Sequence, residues 1–253
     1  MAVKRKKFVF NGFDSETFGL YLTGTETFDS TSKRQTKYHI PGRNGDLIVS
    51  DDDYENVTYK LKVGLIGDDA SQLKDITHTL HSKVRQLRSV LLSSKGYCKL
   101  SDDYHPDEYR MAQFVGNISF DITNYQHAEA TLEFDCKPQH FLTVGLNKYD
   151  FTSNGILQNF TYFSSKPLIR IYGKGKVEVG DGIINITEEG TSYIDIDCES
   201  EDVYEGATNR NENVEISYQG ISHLFPRLDP GKNVINLGDG ITKVVIQPRY
   251  WML

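Results

Sequence analysis

Cysteine is scarce in this chain: three among 253 residues, Cys98, Cys136 and Cys198, odd in number and far apart. No Cys-x-x-Cys pair occurs, which excludes a thiolate zinc knot and a disulfide scaffold. Burial as free thiols is the expectation. No stretch approaches the ~20 apolar residues of a membrane-spanning helix. A basic excess is also missing. The net charge is −7, with 18 Lys and Arg against 20 Asp and Glu up to residue 140, and 10 against 15 beyond it. That balance excludes the electrostatic footprint of a nucleic-acid binder. The one basic run, Lys4 to Lys7, reads as a solvated arm. It has no apolar segment behind it and so is not a signal peptide, which points to folding in a cytoplasm.

Strand-forming material is plentiful. Aromatics make up 11% of the residues, with 15 Tyr and 13 Phe, and 21 Gly punctuate short apolar runs. This predicts a mainly β protein. Phe8-Val9-Phe10 alternates and turns at Asn11-Gly12. Val57, Tyr59, Leu61, Val63 and Leu65 share one face of a strand at period two. One helix stands out near residues 70–92, where Leu73, Ile76, Leu80, Val84, Leu87 and Leu91 form an apolar stripe. Asp69 with Gln72 resembles a capping box at its start, and Gly96 a left-handed residue closing its end. Further strands are predicted at Tyr97–Leu100, Tyr109–Val115, Ile118–Ile122 and Ala130–Cys136.

After Lys137-Pro138-Gln139-His140 the pattern changes. From residue 141 onward only short strands recur, at Leu168–Tyr172, Lys176–Val179, Gly182–Ile186, Tyr193–Asp197, Asn213–Ser217, Asn233–Asn236 and Lys243–Gln247. Many short strands separated by Gly turns predict a β-sandwich or jelly roll. The fold expected is thus two β-rich domains, residues 1–140 with one α-helix and 141–253 without. The ending, an apolar strand followed by Pro248-Arg249-Tyr250-Trp251, predicts a packed terminus with Trp251 largely buried.

Candidate chemistry is thin. His78 and His81 stand at His-x-x-His spacing on the helix, short of the three or more ligands a metal needs. Two acidic clusters, Asp51-Asp52-Asp53 and Asp102-Asp103 with His105, Asp107 and Glu108, read as solvated residues of turn-rich loops. Neither matches a calcium loop or a phosphate loop, and no nucleophile elbow is present. No catalytic residue, metal site or cofactor is predicted, and the chain does not read as an enzyme. The aromatics Tyr149, Phe151, Phe160, Tyr162 and Phe163 offer core packing or, alternatively, a face for host cell-surface saccharide in an adhesion module.

Several motifs carry a family resemblance. Phe10-Asn11-Gly12-Phe13-Asp14-Ser15 with Phe18-Gly19-Leu20 is similar to the opening of the distal tail proteins of siphophages infecting Gram-positive bacteria. Ile40-Pro41-Gly42-Arg43-Asn44-Gly45-Asp46-Leu47, followed by Tyr54-Glu55-Asn56, resembles their Pro-Gly-Arg-x-Gly motif. Asp103 to Arg110, Lys166 to Gly175, and the stretch from Pro230-Gly231-Lys232-Asn233 to Pro248-Arg249-Tyr250-Trp251 are similar to later motifs in the same order. One loop departs, with Tyr162-Phe163-Ser164-Ser165 where the family often has Asn-Pro.

The resemblance implies a structural hub at the tail tip of a virion, assembled in the host cytoplasm. It implies a homo-oligomer, a hexameric ring, that joins the tail tube to the tail-associated lysin or fibre and carries baseplate or receptor-binding proteins. DNA would pass through the lumen without being specifically bound, and no membrane would be engaged. The second domain would be galectin-like. The polar stretch 24–46 is too long for a simple turn and is expected to reach a neighbouring subunit, with Pro41, Gly42, Arg43 and Asp46 at the interface. Asp51, Asp52 and Asp53 are expected to line the channel.

Overall fold

The computed structural model describes residues 5–24, 30–66, 73–116, 118–124, 127–188 and 192–253. It divides into two compact units, residues 1–140 with 253, and residues 141–252.

The first unit contains β1 (Phe8–Phe10), β2 (Phe13–Asp14), β3 (Leu20–Leu22), β4 (Lys33–Tyr38), β5 (Leu47–Tyr54), β6 (Val57–Ile66), α1 (Leu73–Leu92), β7 (Cys98–Asp102), β8 (Glu108–Phe114), β9 (Asp121–Asn124) and most of β10 (His127–Leu142). Its main sheet runs in the order β2-β1-β7-β8-β10-β6-β3, with β9 also paired to β10. The pairings of β6 with β10 and β3, and of β1 with β7, are antiparallel. The β1–β2 turn holds Asn11 and Gly12 at φ 49° and 80°, the two-residue geometry that Asn-Gly favours because both central residues need positive φ.

Period-two alternation decides which face is buried. Val57, Tyr59, Leu61, Val63 and Leu65 are all buried, as are Leu132 and Phe134 across the ladder. The α1 side chains Leu80, Leu87 and Leu91 complete this core. Phe10 and Phe114 meet Phe134 edge-on at 5.1 and 5.4 Å, an arrangement that aligns positive ring edges with negative faces. The predicted capping box at Asp69 and Gln72 lies outside the described residues. The helix end differs from expectation. Ser93 and Ser94 turn their hydroxyls back onto the carbonyls of Val90 and Leu91, satisfying acceptors left open at the last turn. Gly96, at φ 66°, instead shapes the entry to β7.

The second unit holds β11 (Tyr149–Phe151), β12 (Gly155–Asn159), β13 (Leu168–Gly173), β14 (Gly175–Val179), β15 (Gly182–Ile186), β16 (Ile194–Asp197), β17 (Asp202–Glu205), β18 (Thr208–Asn209), β19 (Val214–Tyr218), β20 (Ile221–Ser222), β21 (Gly231–Leu237), β22 (Ile241–Gln247) and β23 (Trp251–Met252). Two six-stranded sheets form, β11-β22-β13-β16-β17-β18 and β12-β21-β14-β15-β19-β20. Ile169, Ile171, Ile194, Ile196, Val244 and Ile246 of one sheet share a core with Val177, Val179, Ile184, Ile186 and Ile235 of the other. This is a β-sandwich, so the protein is mainly β with one α-helix among the described residues.

The terminus departs from expectation in one respect. Tyr250, not Trp251, is the buried aromatic, at 1% exposure, and its hydroxyl donates to the Gln158 carbonyl at 2.8 Å. Trp251 is half-buried, stacked on Phe163 at 4.4 Å, with its indole N–H on the Ser164 carbonyl. An indole needs an acceptor for that N–H, and the carbonyl at the surface supplies one without full burial.

Candidate functional site

Between β3 and β6 the chain leaves the main sheet and forms a two-stranded sheet of its own, β4 paired with β5. Its register places Thr36 opposite Val49, Lys37 opposite Ile48 and Tyr38 opposite Leu47. Directly opposed residues share a face. One face therefore carries Tyr38, Leu47 and Val49 side by side, at 54%, 42% and 49% exposure, and Ile48 stands on the other at 56%. Every residue of β4 is exposed.

The base of this hairpin is tied by polar contacts. Thr31 Oγ1 donates to the Glu55 carbonyl at 2.6 Å, Ser32 Oγ donates to Glu55 Oε2 at 2.7 Å, and the Glu55 N–H donates to the Ser32 carbonyl. Arg34 pairs with Asp53 across the strands at 3.1 Å, and Ser50 Oγ donates to the Arg34 carbonyl. These contacts fix where the hairpin leaves the sheet. They bury none of its apolar face.

The interface candidates Pro41, Gly42, Arg43 and Asp46 lie together in the exposed tip that joins β4 to β5. The tip turns on Gly42 and Gly45, at φ 80° and 81°, and on the Arg43 N–H bonded to the Ile40 carbonyl. Its glycines are required by that left-handed backbone, which an L side chain adopts at a cost. Asp51, Asp52 and Asp53 fall on β5, in a strand and not in the turn-rich loop predicted for them. Asp53 is the carboxylate engaged by Arg34. The strand was missed because three successive aspartates have poor β-propensity, whereas the cross-strand partner was legible only in three dimensions.

The second acidic cluster also differs from its prediction. Asp102 ends β7 at 8% exposure and is not a solvated loop residue. It accepts from the Tyr59 hydroxyl at 2.9 Å and from the backbone N–H groups of Tyr104 and His105. Beside it Arg110, at 3% exposure, lies over the Tyr59 ring at 3.9 Å, a buried cation held against the negative ring face. Glu108 opens β8 and meets His140 Nδ1 at 2.8 Å. Burial pushes the Glu108 carboxyl up, but the His140 hydrogen bond and the charges of His140 and Arg110 outweigh it and hold the carboxyl below its ordinary value. The cluster pins the β7–β8 turn onto the sheet. Asp107 remains exposed, and His81 faces solvent on α1.

The thiols behave as predicted for Cys136 and Cys198, which are buried, while Cys98 is partly exposed. Desolvation pushes the Cys136 thiol up to about 12, which removes it from thiolate chemistry at neutral pH. Of the five aromatics weighed as a saccharide face, Tyr149 and Phe151 pack against the sandwich core, and Phe163 is taken up by Trp251. Phe160 meets the Tyr250 ring edge-on, and Tyr162 is 89% exposed. Among the described residues no helix is long and apolar enough to cross a membrane.

Residues 13–136 match the model of the phage tail protein RIFT-related domain family, and the first unit belongs to that family. Over its full length the chain shares the fold of the Dit protein of phage SPP1, described as a paradigm of the hub adsorption apparatus in phages that infect Gram-positive bacteria. The two superpose with a TM-score of 0.71 at 13% identity, covering 99% of this chain and 100% of that one. No curated protein sequence matches the chain.

Proposed function

We propose that this distal tail protein is a ring-forming hub, and that the β4–β5 hairpin is the element that joins one copy to the next. The observation that carries the reading is the exposed apolar face of Tyr38, Leu47 and Val49 on a hairpin with no core of its own. A two-stranded hairpin is marginal in water by itself, and full burial of each such side chain is worth about 1.5–3 kcal/mol. A second copy is the occupant that fits a tail hub. A hairpin that docks on a different surface of its neighbour makes a head-to-tail interface, which closes into a ring when the rotation divides a full turn. Six copies are the number the resemblance suggests. Arg43 and Asp46 at the tip would pair with opposite charges on the neighbour, where a guanidinium fork gives direction to the contact.

In the same reading the ring joins the tail tube to the lysin or fibre protein below it and carries baseplate or receptor-binding proteins on the second unit. DNA passes through the lumen, with Asp51 to Asp53 on its wall. The role is structural and non-enzymatic, in the virion tail.

Mass photometry on the purified chain tests the assembly element. Replacing residues 34–53 with a short Gly/Ser linker is expected to leave a folded subunit that no longer forms rings. Rings that persist at the same concentration would show that another surface holds the copies together.

A further inference from the structure

An open cleft of about 200 Å³ lies on the outer face of the β11-β22-β13-β16 sheet in the second unit. Outer faces of sandwich sheets are ordinarily solvated. Here Asp195 is buried to 4% exposure beneath Arg170, which binds it through both Nε and Nη2 at 2.7 and 2.8 Å. The Tyr193 ring lies against the guanidinium at 3.8 Å and holds its plane. Fixed on two sides, Arg170 keeps three of its five N–H donors off that carboxylate.

The rest of the cleft has two characters. Val245, 9% exposed, and Leu168 lend it an apolar surface, and Tyr172 an aromatic one. Lys148 and Gln247 line it with side chains that make no hydrogen bond among the described residues. The second carboxylate, Asp150, is bound to Lys243 at 2.7 Å. Both acids of the cleft are therefore committed to cations, and Arg170 also bonds to the Tyr172 side chain, so the groups left without a partner among the described residues are the amide of Gln247 and the ammonium of Lys148.

We propose that this cleft binds a saccharide residue carrying an acidic group. A sugar ring has a C–H face that fits the Tyr172, Leu168 and Val245 surface, and a rim of hydroxyls for the amide of Gln247. The surplus of free donors, with Lys148 unopposed by a carboxylate within the cleft, selects for a carboxylate or phosphate on that ring. Such a site would let the second unit touch a cell surface directly. It is independent of ring formation, since every residue invoked lies within one copy.

A glycan array bearing uronic, sialic and phosphorylated sugars beside neutral ones, probed with the full chain, tests the proposal. The acidic sugars are expected to be retained. Lys148→Ala and Gln247→Ala are each expected to weaken retention about tenfold, the loss of one hydrogen bond to a charged or strongly polar partner. Both positions lie at the surface, and an unchanged melting temperature will show that each variant is folded. No retention of any acidic glycan by the parent, or retention by both variants equal to the parent's, would overturn the site. Neutral sugars bound as tightly as acidic ones would overturn its selectivity.

Discussion

Arg249 and Asp197 form a two-pronged ion pair, Nη1 to Oδ1 at 2.6 Å and Nη2 to Oδ2 at 2.9 Å, that ties the segment after β22 to the end of β16. Arg249 makes this contact from a left-handed backbone at φ 55°. An L side chain pays roughly 1–2 kcal/mol for such a conformation. Arg249→Ala is expected to lose about 1.5–3 kcal/mol, as hydrogen bonds between charged groups do. Arg249→Gly removes the same pair but relieves the backbone, so it should be the less damaging of the two. Urea titrations of both variants decide the order.

The pair also sets an acid dependence. Burial pushes the Asp197 carboxyl up, but Arg249 and the N–H groups of Glu199 and Ser200 outweigh that and hold it below its ordinary value. A carboxyl lowered in the folded state contributes stability above its unfolded value, near pH 4, and loses it as pH falls through the lower folded value. Arg249 stays charged throughout. The stability gap between the parent and Asp197→Asn should be constant above about pH 5 and shrink below pH 4. A gap that does not change with pH would mean that the carboxylate charge is immaterial.

Gly145 sits where the chain after β10 crosses the segment after β22. Its carbonyl accepts from the Arg249 N–H at 2.9 Å, and a Cβ there would stand 2.5 Å from the Tyr250 nitrogen and 3.1 Å from the Arg249 carbonyl carbon. Both obstacles are backbone and do not swing aside. Gly145→Ala is expected to cost about 1–3 kcal/mol, the range for overpacking a tight site. The denaturation midpoint should fall with the slope unchanged, since the surface exposed on unfolding is the same.

Much of the fold was legible because periodicity reports burial. The β6 alternation and the α1 stripe each name a face, and in β6 those residues are the buried ones. Of the strands missed in the second unit, β11, β12 and β17 carry only three to five residues and mix polar with apolar, so period two has too few repeats to show. The hairpin was legible as a long polar excursion, yet its second strand runs through Asp51 to Asp53, where composition argues for a loop. Asp102 and Glu108 read as solvated because a sequence cannot display Tyr59 and His140, 43 and 32 residues away, as their hydrogen-bond partners.

Tyr59→Phe isolates the hydroxyl of that buried cluster. The ring that carries Arg110 is kept, and what is removed is the bond to Asp102 with the longer contact to His105 Nδ1 at 3.4 Å. Asp102 retains two backbone donors, so the expected loss is about 1–3 kcal/mol and not collapse of the turn. A Tyr59→Leu variant, which also removes the aromatic face under a guanidinium 3% exposed, should lose more. Equal stability of the two variants, measured by urea titration, would show that the ring face contributes nothing.

The channel assignment is tested by charge. Between residues 33 and 54 the hairpin carries four basic residues, Lys33, Arg34, Lys37 and Arg43, against four acidic ones, Asp46 and Asp51 to Asp53, so it is neutral as a whole. Changing Asp51, Asp52 and Asp53 to Asn leaves an excess of three positive charges per copy, which the proposed ring would repeat in every subunit. Basic contacts to phosphate gain from release of the counterions that DNA carries, and salt suppresses that gain. If β5 faces the lumen, assembly of the triple variant should be unchanged while DNA ejection slows at low ionic strength. Rate should recover at physiological salt and above, where the Debye length falls to about 8 Å and below. Ejection kinetics identical to the parent at every salt concentration, in tails shown to contain the variant, would place these aspartates away from the DNA path.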